Sequence, residues 1–154
     1  MREELLRLVP VLSSDKAEFL SMATAYFTEL NSNFVPNRDW EANYFQRLQD
    51  GTNLCARWIV VDERRIGFSV YGVENHRFLP RTMGCIYEFY VLPSFRRSGI
   101  GMRAAMTTIE ELGKRSPAKI QLEVMCGNES AQKFWNSLGF RKVSERFVLH
   151  GGDK

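Results

Sequence analysis

Asn128-Glu129-Ser130-Ala131-Gln132-Lys133-Phe134-Trp135-Asn136-Ser137-Leu138-Gly139-Phe140 is the stretch that decides how this chain of 154 residues is read. Its pattern, Asn-x-x-Ala-x-x-Phe-x-x-x-Leu-Gly-Phe, fixes six positions. At ordinary residue usage such a pattern arises by chance in only about 10⁻⁵ of chains this long. Upstream stands Arg96-Arg97-Ser98-Gly99-Ile100-Gly101, an Arg-x-x-Gly-x-Gly run. Alone it is weak, since roughly 4% of such chains would carry it by chance. The weight comes from the two together, in this order and about one βαβ unit apart.

Composition narrows the rest. The chain is 44% hydrophobic and 25% charged, an ordinary soluble-domain balance. A chain of this length buries roughly 70% of its unfolded surface and folds without disulfide or metal. The start, Met1-Arg2-Glu3-Glu4, places acids where a secretory signal needs a basic segment followed by an apolar one. No apolar run reaches membrane-spanning length, so the expected location is cytoplasmic, with no membrane partner. Cys55, Cys85 and Cys126 are odd in number and lack ligand spacing, and read as reduced, mostly buried thiols with no metal site. The net charge of +3 and pI near 8.9 suit a polyanionic ligand. Without a basic helix stripe, zinc-finger spacing or aromatic RNA-binding signature, nucleic acid is not an expected partner.

Period changes outline the elements. Leu5–Leu12 reads as a first strand, and Asp15 with Glu18 as a capping pair opening a helix with Phe19, Leu20, Ala23, Phe27 and Leu30 on one face. Asp39 is expected to cap a second helix with Trp40, Tyr44, Phe45 and Leu48 inward, ending at Asp50-Gly51. Leu54–Val61, Ile66–Val73 and Ile86–Val91 form an antiparallel meander around the Asp62-Glu63-Arg64-Arg65 turn. Met102, Ala105, Met106, Ile109 and Leu112 then recur at helical spacing before the strand Ile120–Met125, which should lie parallel to Ile86–Val91 through a right-handed crossover. A last helix carries Ala131, Phe134, Trp135 and Leu138, and Val143 and Phe147–His150 offer one or two closing strands. The expectation is one α+β domain over residues 1–154, with a mixed, mostly antiparallel sheet of six to seven strands and about four helices.

The loop from Arg96 to Gly101 joins a strand end to a helix start, where unsatisfied N–H groups and the positive dipole end favour an anion. Gly99 and Gly101 would let backbone approach phosphate oxygens, and Arg96 or Arg97 would add charge-assisted hydrogen bonds. Gly99-x-Gly101-x-x-Ala104 also matches a dinucleotide fingerprint, but Pro93 to Arg97 intervene between strand and first glycine, and no Gly-Lys-Ser/Thr makes a P-loop.

Together the two motifs resemble motifs A and B of the GNAT superfamily of acyl-CoA-dependent N-acyltransferases. The resemblance implies that strands four and five, the parallel pair, form an acetyl-CoA cleft. It implies that Phe89-Tyr90-Val91 hydrogen-bonds the pantetheine arm, and that Arg96, Arg97, Ser98, Gly99, Ile100, Gly101 and Met102 hold the pyrophosphate. Asn128 matches the motif B asparagine that contacts the cofactor arm, and Ala131 and Phe134 follow it in that motif. Asn128 reads equally as a plain helix N-cap. Dimers are frequent in that superfamily, so a homodimer is among the assemblies it allows.

Acyl transfer from a thioester to an amine needs the amine neutral, yet a lysine-like amine with pKa about 10.4 is protonated at neutral pH, so a base is needed. Carboxylates on internal strands are costly, which singles out Glu88 and Glu123. Alternation groups Glu123 with Gln121 and Met125, and Glu88 with Ile86 and Tyr90. Leu122-Glu123-Val124 before Asn128 is similar to the arrangement in ribosomal-protein alanine N-acetyltransferases, where that glutamate is the base, and Glu88 sits where other branches place an acid. Both stay candidates, beside the loop residue His76 and the reading of both acids as salt-bridged structural groups. Trp135 stands where many members have a tyrosine that protonates the leaving thiolate, and an indole N–H cannot act as that acid. Tyr87, Tyr90, water or Cys126 could replace it. The expected activity is acetyl transfer from acetyl-CoA to a primary amine of a small molecule or peptide. The alternative raised by Trp135 is a non-catalytic acyl-CoA sensor. The resemblance implies that Phe34–Phe45 and Gly72–Met83 shape the acceptor pocket, and these segments hold Phe34, Trp40, Tyr44, Phe45, His76 and Phe78 as its aromatic candidates.

Overall fold

Alternation along the strand Leu54–Val61 organises the molecule, because both of its faces are buried. Ala56, Trp58 and Val60 enter one apolar cluster, while Ile59 and Val61 enter another. This is why the segment reads as an unbroken hydrophobic run rather than as alternating polar and apolar residues. A computed structural model describes residues 5–37, 39–51 and 53–151; the reading of Met1–Glu4 lies outside them.

Two compact units are present, residues 1–123 and 124–154. In the first, β1 (Leu6–Pro10), β2 (Leu54–Val61), β3 (Arg64–Asn75), β4 (Thr82–Val91) and β5 (Lys119–Leu122) form one sheet in that order. β1 to β4 pair antiparallel, and β5 joins β4 in parallel after α3 (Ile100–Gly113). α1 (Lys16–Leu30) and α2 (Trp40–Asp50) pack with the Trp58 face, and Ile100 and Ala104 of α3 with the Ile59 face. The second unit holds α4 (Glu129–Ser137). The α+β fold, the mixed sheet, the parallel pair and four α-helices agree with the sequence reading.

The strand count differs. Among the described residues there are five strands, and residues 140–151, with Val143 and Phe147–His150, have no regular secondary structure. Val143, Phe147 and Leu149 are exposed, so their β-propensity meets no partner ladder or apolar surface. β5 is also shorter than Ile120–Met125, ending at Leu122 at the edge of the described sheet, so Glu123 stands just past an edge strand rather than on an internal one.

Between β2 and β3 the turn has Asp62 at φ 48° and Glu63 at φ 69°. Positive φ at both central residues is the geometry whose twist matches a two-residue hairpin. The Asp15–Glu18 capping pair also resolves differently. The Asp15 carboxylate accepts from the Leu12 N–H at 2.8 Å, Trp58 Nε1 at 3.1 Å and Arg65 Nη2 at 3.0 Å, while Glu18 pairs with Arg65 Nη1 at 2.6 Å. Arg65 lies 4.5 Å over the Trp58 ring. A short 3-10 turn, Ser13–Asp15, precedes α1 and swings the carboxylate toward the sheet instead of onto the helix N–H groups.

Those bonds, the Leu12 N–H first, hold the Asp15 carboxyl below its usual range against the opposing effect of burial. A depressed native pKa contributes stability above the unfolded pKa of about 3.9 that is lost as pH falls through the native value. Asp15→Ala, which strands the Trp58 and Arg65 donors, should therefore cost about 2–4 kcal/mol at pH 7. Urea unfolding should show that cost shrinking below about pH 4.

Candidate active site

A surplus residue in β4 shapes the site. Val70 pairs with Glu88 and Tyr71 with Ile86, so Tyr87 has no opposite number on β3. Such a bulge bends the strand and resets the alternation beyond it. Directly opposed residues share a face. Glu88 therefore lies with Val70 and Tyr90 toward α1 and α2, while Ile86 lies with Tyr71 on the other side. The expected grouping of Glu88 with Tyr90 holds, and that with Ile86 does not, because strict alternation fails at a bulge. Tyr87 turns to Glu74, donating its hydroxyl proton to Oε1.

Glu88 lines an open cavity of about 550 Å³ together with Phe27, Asn37, Asp39, Trp40, Asn43, Tyr44 and Arg47. The α2 residues fall at helical spacing, so one face of that helix forms the wall. Trp40 stacks on Tyr44 at 5.4 Å and 7°, and Phe27 meets both edge-on at 5.8 and 5.7 Å. The Tyr44 hydroxyl donates to Glu88 Oε2. Burial pushes the Glu88 carboxyl above its ordinary pKa, outweighing the Tyr44 bond and the Arg47 charge, which pull it down. Burial, then the Glu88 charge, holds the Tyr44 and Tyr26 phenols far above their usual range, so both remain hydroxyl donors. Tyr26 also bonds the Phe89 backbone. The result is a half-buried carboxylate, more basic than usual, facing a cavity with aromatic walls.

Glu123 is placed elsewhere: exposed, one residue past β5, and not among the cavity residues. His76 Nδ1 accepts from the Phe78 and Leu79 N–H groups at 3.1 and 3.0 Å and so closes its own loop. Of the expected pocket aromatics, Trp40 and Tyr44 line the cavity and Phe34 packs on Trp40 at 5.3 Å. Phe45 is core, and Phe78 is 80% exposed. Sequence reasoning did not assign Tyr26 or Arg47. The Trp40, Tyr44, Arg47 spacing could have flagged Arg47, but nothing in the sequence shows which strand that helix face meets.

The candidate anion loop follows β4. A 3-10 turn at Pro93–Phe95 leads through Arg97 at φ 62° to Gly99 at φ 85°, and α3 starts at Ile100. The first helical bond of this turn is Arg103 N–H to the Gly99 carbonyl, so Ile100, Gly101 and Met102 present the helix's opening N–H groups. A Cβ at Gly99 would meet no atom within 4 Å, so the space in front of the loop is open. Ser98 Oγ donates to the Phe95 carbonyl at 3.0 Å. The expectation that the Arg96 guanidinium serves phosphate needs correction. Its Nε donates to the Val91 carbonyl at 2.8 Å, its terminal nitrogens pair with Glu29 of α1 at 2.8 Å, and it lies 5.4 Å from the Tyr90 ring centre. That side chain ties the loop to β4 and α1, leaving exposed Arg97 as the arginine open to a ligand.

Pairing between β4 and β5 runs from Met83–Lys119 to Ile86–Leu122. Beyond it, Glu88–Val91 keeps β3 as its strand partner, and Phe89, Tyr90 and Val91 lie on this stretch. In the second unit, Asn128 caps α4, its Oδ1 accepting from the Ala131 N–H at 3.1 Å. Ala131 and Phe134 are half-buried, and Trp135 is buried with Phe134 and Phe140 edge-on at 4.9 and 5.5 Å. Cys55 and Cys85 are buried, but Cys126, in the turn before α4, is exposed. Among the described residues no group of three or more His, Cys, Asp or Glu is placed to hold a metal, and no helix is long and apolar enough to cross a membrane.

An uncharacterised N-acetyltransferase of Methanocaldococcus jannaschii is 26% identical over 151 residues, covering 92% of this chain and 62% of the relative. The chain thus spans less than two thirds of that relative's length. A tetramutant of the BH1408 protein from Bacillus halodurans superposes with TM-score 0.75 at 25% identity, over 95% of this chain and 99% of that one. The aminoglycoside N-acetyltransferase AAC(6')-Iy in complex with CoA shares the fold, with TM-score 0.74 at 15% identity over 99% and 98% of the two chains. Residues 18–140 match the model of the Acetyltransferase (GNAT) family, and the chain belongs to that family.

Proposed function

We propose that this chain transfers an acetyl group from acetyl-CoA to a primary amine held in the cavity between α2 and β4, with Glu88 as general base. The observation that carries the reading is Glu88 itself, a carboxylate made more basic by burial at the wall of a cavity large enough for a small molecule. The amine nitrogen attacks the thioester carbonyl carbon as Glu88 takes its proton, directly or through one water. The C–N bond forms, the C–S bond breaks, and coenzyme A leaves as thiolate. A thiol pKa of about 8.5 makes that leaving group stable enough to take its proton from water, so Trp135 in place of tyrosine is tolerated. Tyr87 and Tyr90 are poor substitutes, the first giving its proton to Glu74 and the second packed in the core under Arg96.

On the donor side, the loop from Arg97 to Met102 supplies N–H groups for the pyrophosphate, with Arg97 adding charge. The β4 stretch Phe89–Val91 offers the pantetheine arm its backbone. Glu123, exposed past β5, is not needed as base in this scheme. The reaction takes place in the cytosol.

Glu88→Gln should lower kcat/KM by about 10²–10⁴. Because the base works deprotonated and its pKa is raised, kcat/KM of the wild-type enzyme should climb with pH through a midpoint above the ordinary carboxyl range. That limb should vanish in Glu88→Gln. Tyr44→Phe removes a bond that lowers the Glu88 pKa, so it should move the limb to higher pH. Thiol release from acetyl-CoA across pH reads the wild type and both variants. Acetyl-CoA binding unchanged by Glu88→Gln, with no turnover of any amine by the wild-type protein, would favour the sensor reading instead.

Gly99→Val tests the loop separately. A β-branched residue at φ 85° carries roughly 1–2 kcal/mol of strain, and its side chain fills the space in front of the helix. Calorimetry should show acetyl-CoA affinity weakened by about tenfold or more, on the 1.4 kcal/mol-per-decade scale.

A further inference from the structure

The cavity carries a charge that proton removal does not use. Arg47 lines it one helical turn beyond Tyr44, on the face that also carries Trp40 and Asn43. Arg7, Arg65 and Arg96 are each paired with a carboxylate. Arg47, among the described residues, enters no ion pair and donates no side-chain hydrogen bond, although Asp39 and Glu88 line the same cavity. A guanidinium covered by a ligand that offers no anion loses water and gains nothing in exchange. Offered a carboxylate, it forms a forked, charge-assisted pair.

The other groups ask for the opposite charge. Asp39 and Glu88 favour an ammonium arriving at the cavity, and Phe27, Trp40 and Tyr44 give an apolar wall to whatever connects the two ends. A polycation would bring like charge to Arg47, and a simple amine would leave it with no hydrogen-bonded anion, only the through-space pull of Glu88. A zwitterion with a substantial apolar body satisfies every wall.

We propose that the acceptor is a free α-amino acid with an aromatic or bulky aliphatic side chain, its carboxylate held by Arg47, its amine presented to Glu88 and its side chain against Trp40 and Phe27. This rests on the reading of Glu88 as the base. It makes Arg47 the specificity-determining residue of the acceptor site.

L-phenylalanine and phenethylamine differ only in the carboxylate. Thiol release from acetyl-CoA is measured with each, at matched concentrations of neutral amine, for wild type, Arg47→Met, Arg47→Lys and Glu88→Gln, with circular dichroism to confirm folding. Wild type should favour L-phenylalanine by about tenfold or more in kcat/KM, as expected for one charge-assisted pair. Arg47→Met should bring the ratio close to one, chiefly by raising KM for the amino acid. Arg47→Lys, which keeps charge but not the fork, should retain part of the preference. Equal or better use of phenethylamine by wild type overturns the proposal, as does a proportionate loss for both amines in Arg47→Met. Turnover of a polyamine or a peptide amine with L-phenylalanine, L-tryptophan and L-leucine all inert overturns it too, while loss of that turnover in Glu88→Gln leaves the base reading standing. Full activity of Glu88→Gln on L-phenylalanine, with the Arg47 dependence intact, supports the carboxylate pairing and removes the base instead.

Discussion

One extra residue in β4 sets the terms for the candidate site. Without the bulge at Tyr87, residue 88 would alternate to the face opposite its present one, and its carboxylate would point toward α3 rather than the α2 wall. The bulge comes one residue after the β4–β5 ladder ends at Ile86–Leu122. The strand is thus freed from its parallel neighbour and turned about its axis at the same place. Those two changes bring a main-chain stretch and the Glu88 carboxylate into one locality, which is the arrangement the proposed reaction needs.

Placing a carboxylate there has a cost that the surroundings only partly offset. The Tyr44 hydroxyl and Arg47 stabilise the anion, yet burial prevails and the carboxyl stays easier to protonate than an exposed glutamate. For a structural acid this balance would be poor; for a base it raises the affinity for the proton it must take. The aromatic layer beneath keeps the geometry from relaxing. Phe19, fully buried, contacts Tyr44, Phe45, Trp58 and Phe68 with ring centres 4.9–6.2 Å apart. Such pairs contribute about 0.5–1.5 kcal/mol each beyond their burial. They fix α1 and α2 against the sheet, and Tyr44 belongs to that layer and to the cavity at once.

Period and punctuation made the scaffold legible in the sequence. β2 spans Leu54–Val61 as its β-rich run indicates, α2 begins after Asp39, and α4 ends before a Gly139 at φ 99°. The loop from Arg96 to Gly101 was readable because glycines at a strand-to-helix junction have few other uses. What escaped were effects of register and partner. Glu88 and Glu123 look alike as acids within strand-like runs, and only the bulge and the early end of β5 separate them. Arg96 and Arg97 are adjacent and chemically identical, but one is drawn inward by Glu29, sixty-seven positions away in the chain. The terminal run around Val143 and Phe147 shows the converse, strand-like composition with no ladder to join.

The last two turns of α1 link the loop before α3 to the cavity beside α2. Tyr26 bonds the β4 backbone at Phe89, Phe27 lines the cavity, and Glu29 holds Arg96, whose Nε in turn holds the Val91 carbonyl. Three side chains within four residues therefore brace the cavity wall, the β4 stretch Phe89–Val91 and the loop before α3. A helix is stiff over this distance, with each residue advancing about 1.5 Å along a fixed axis. Displacing the Arg96 loop would pull on Glu29 and so on the segment that carries Phe27. Any movement of the loop is thereby tied, through the Arg96–Glu29 pair, to the segment that carries Phe27.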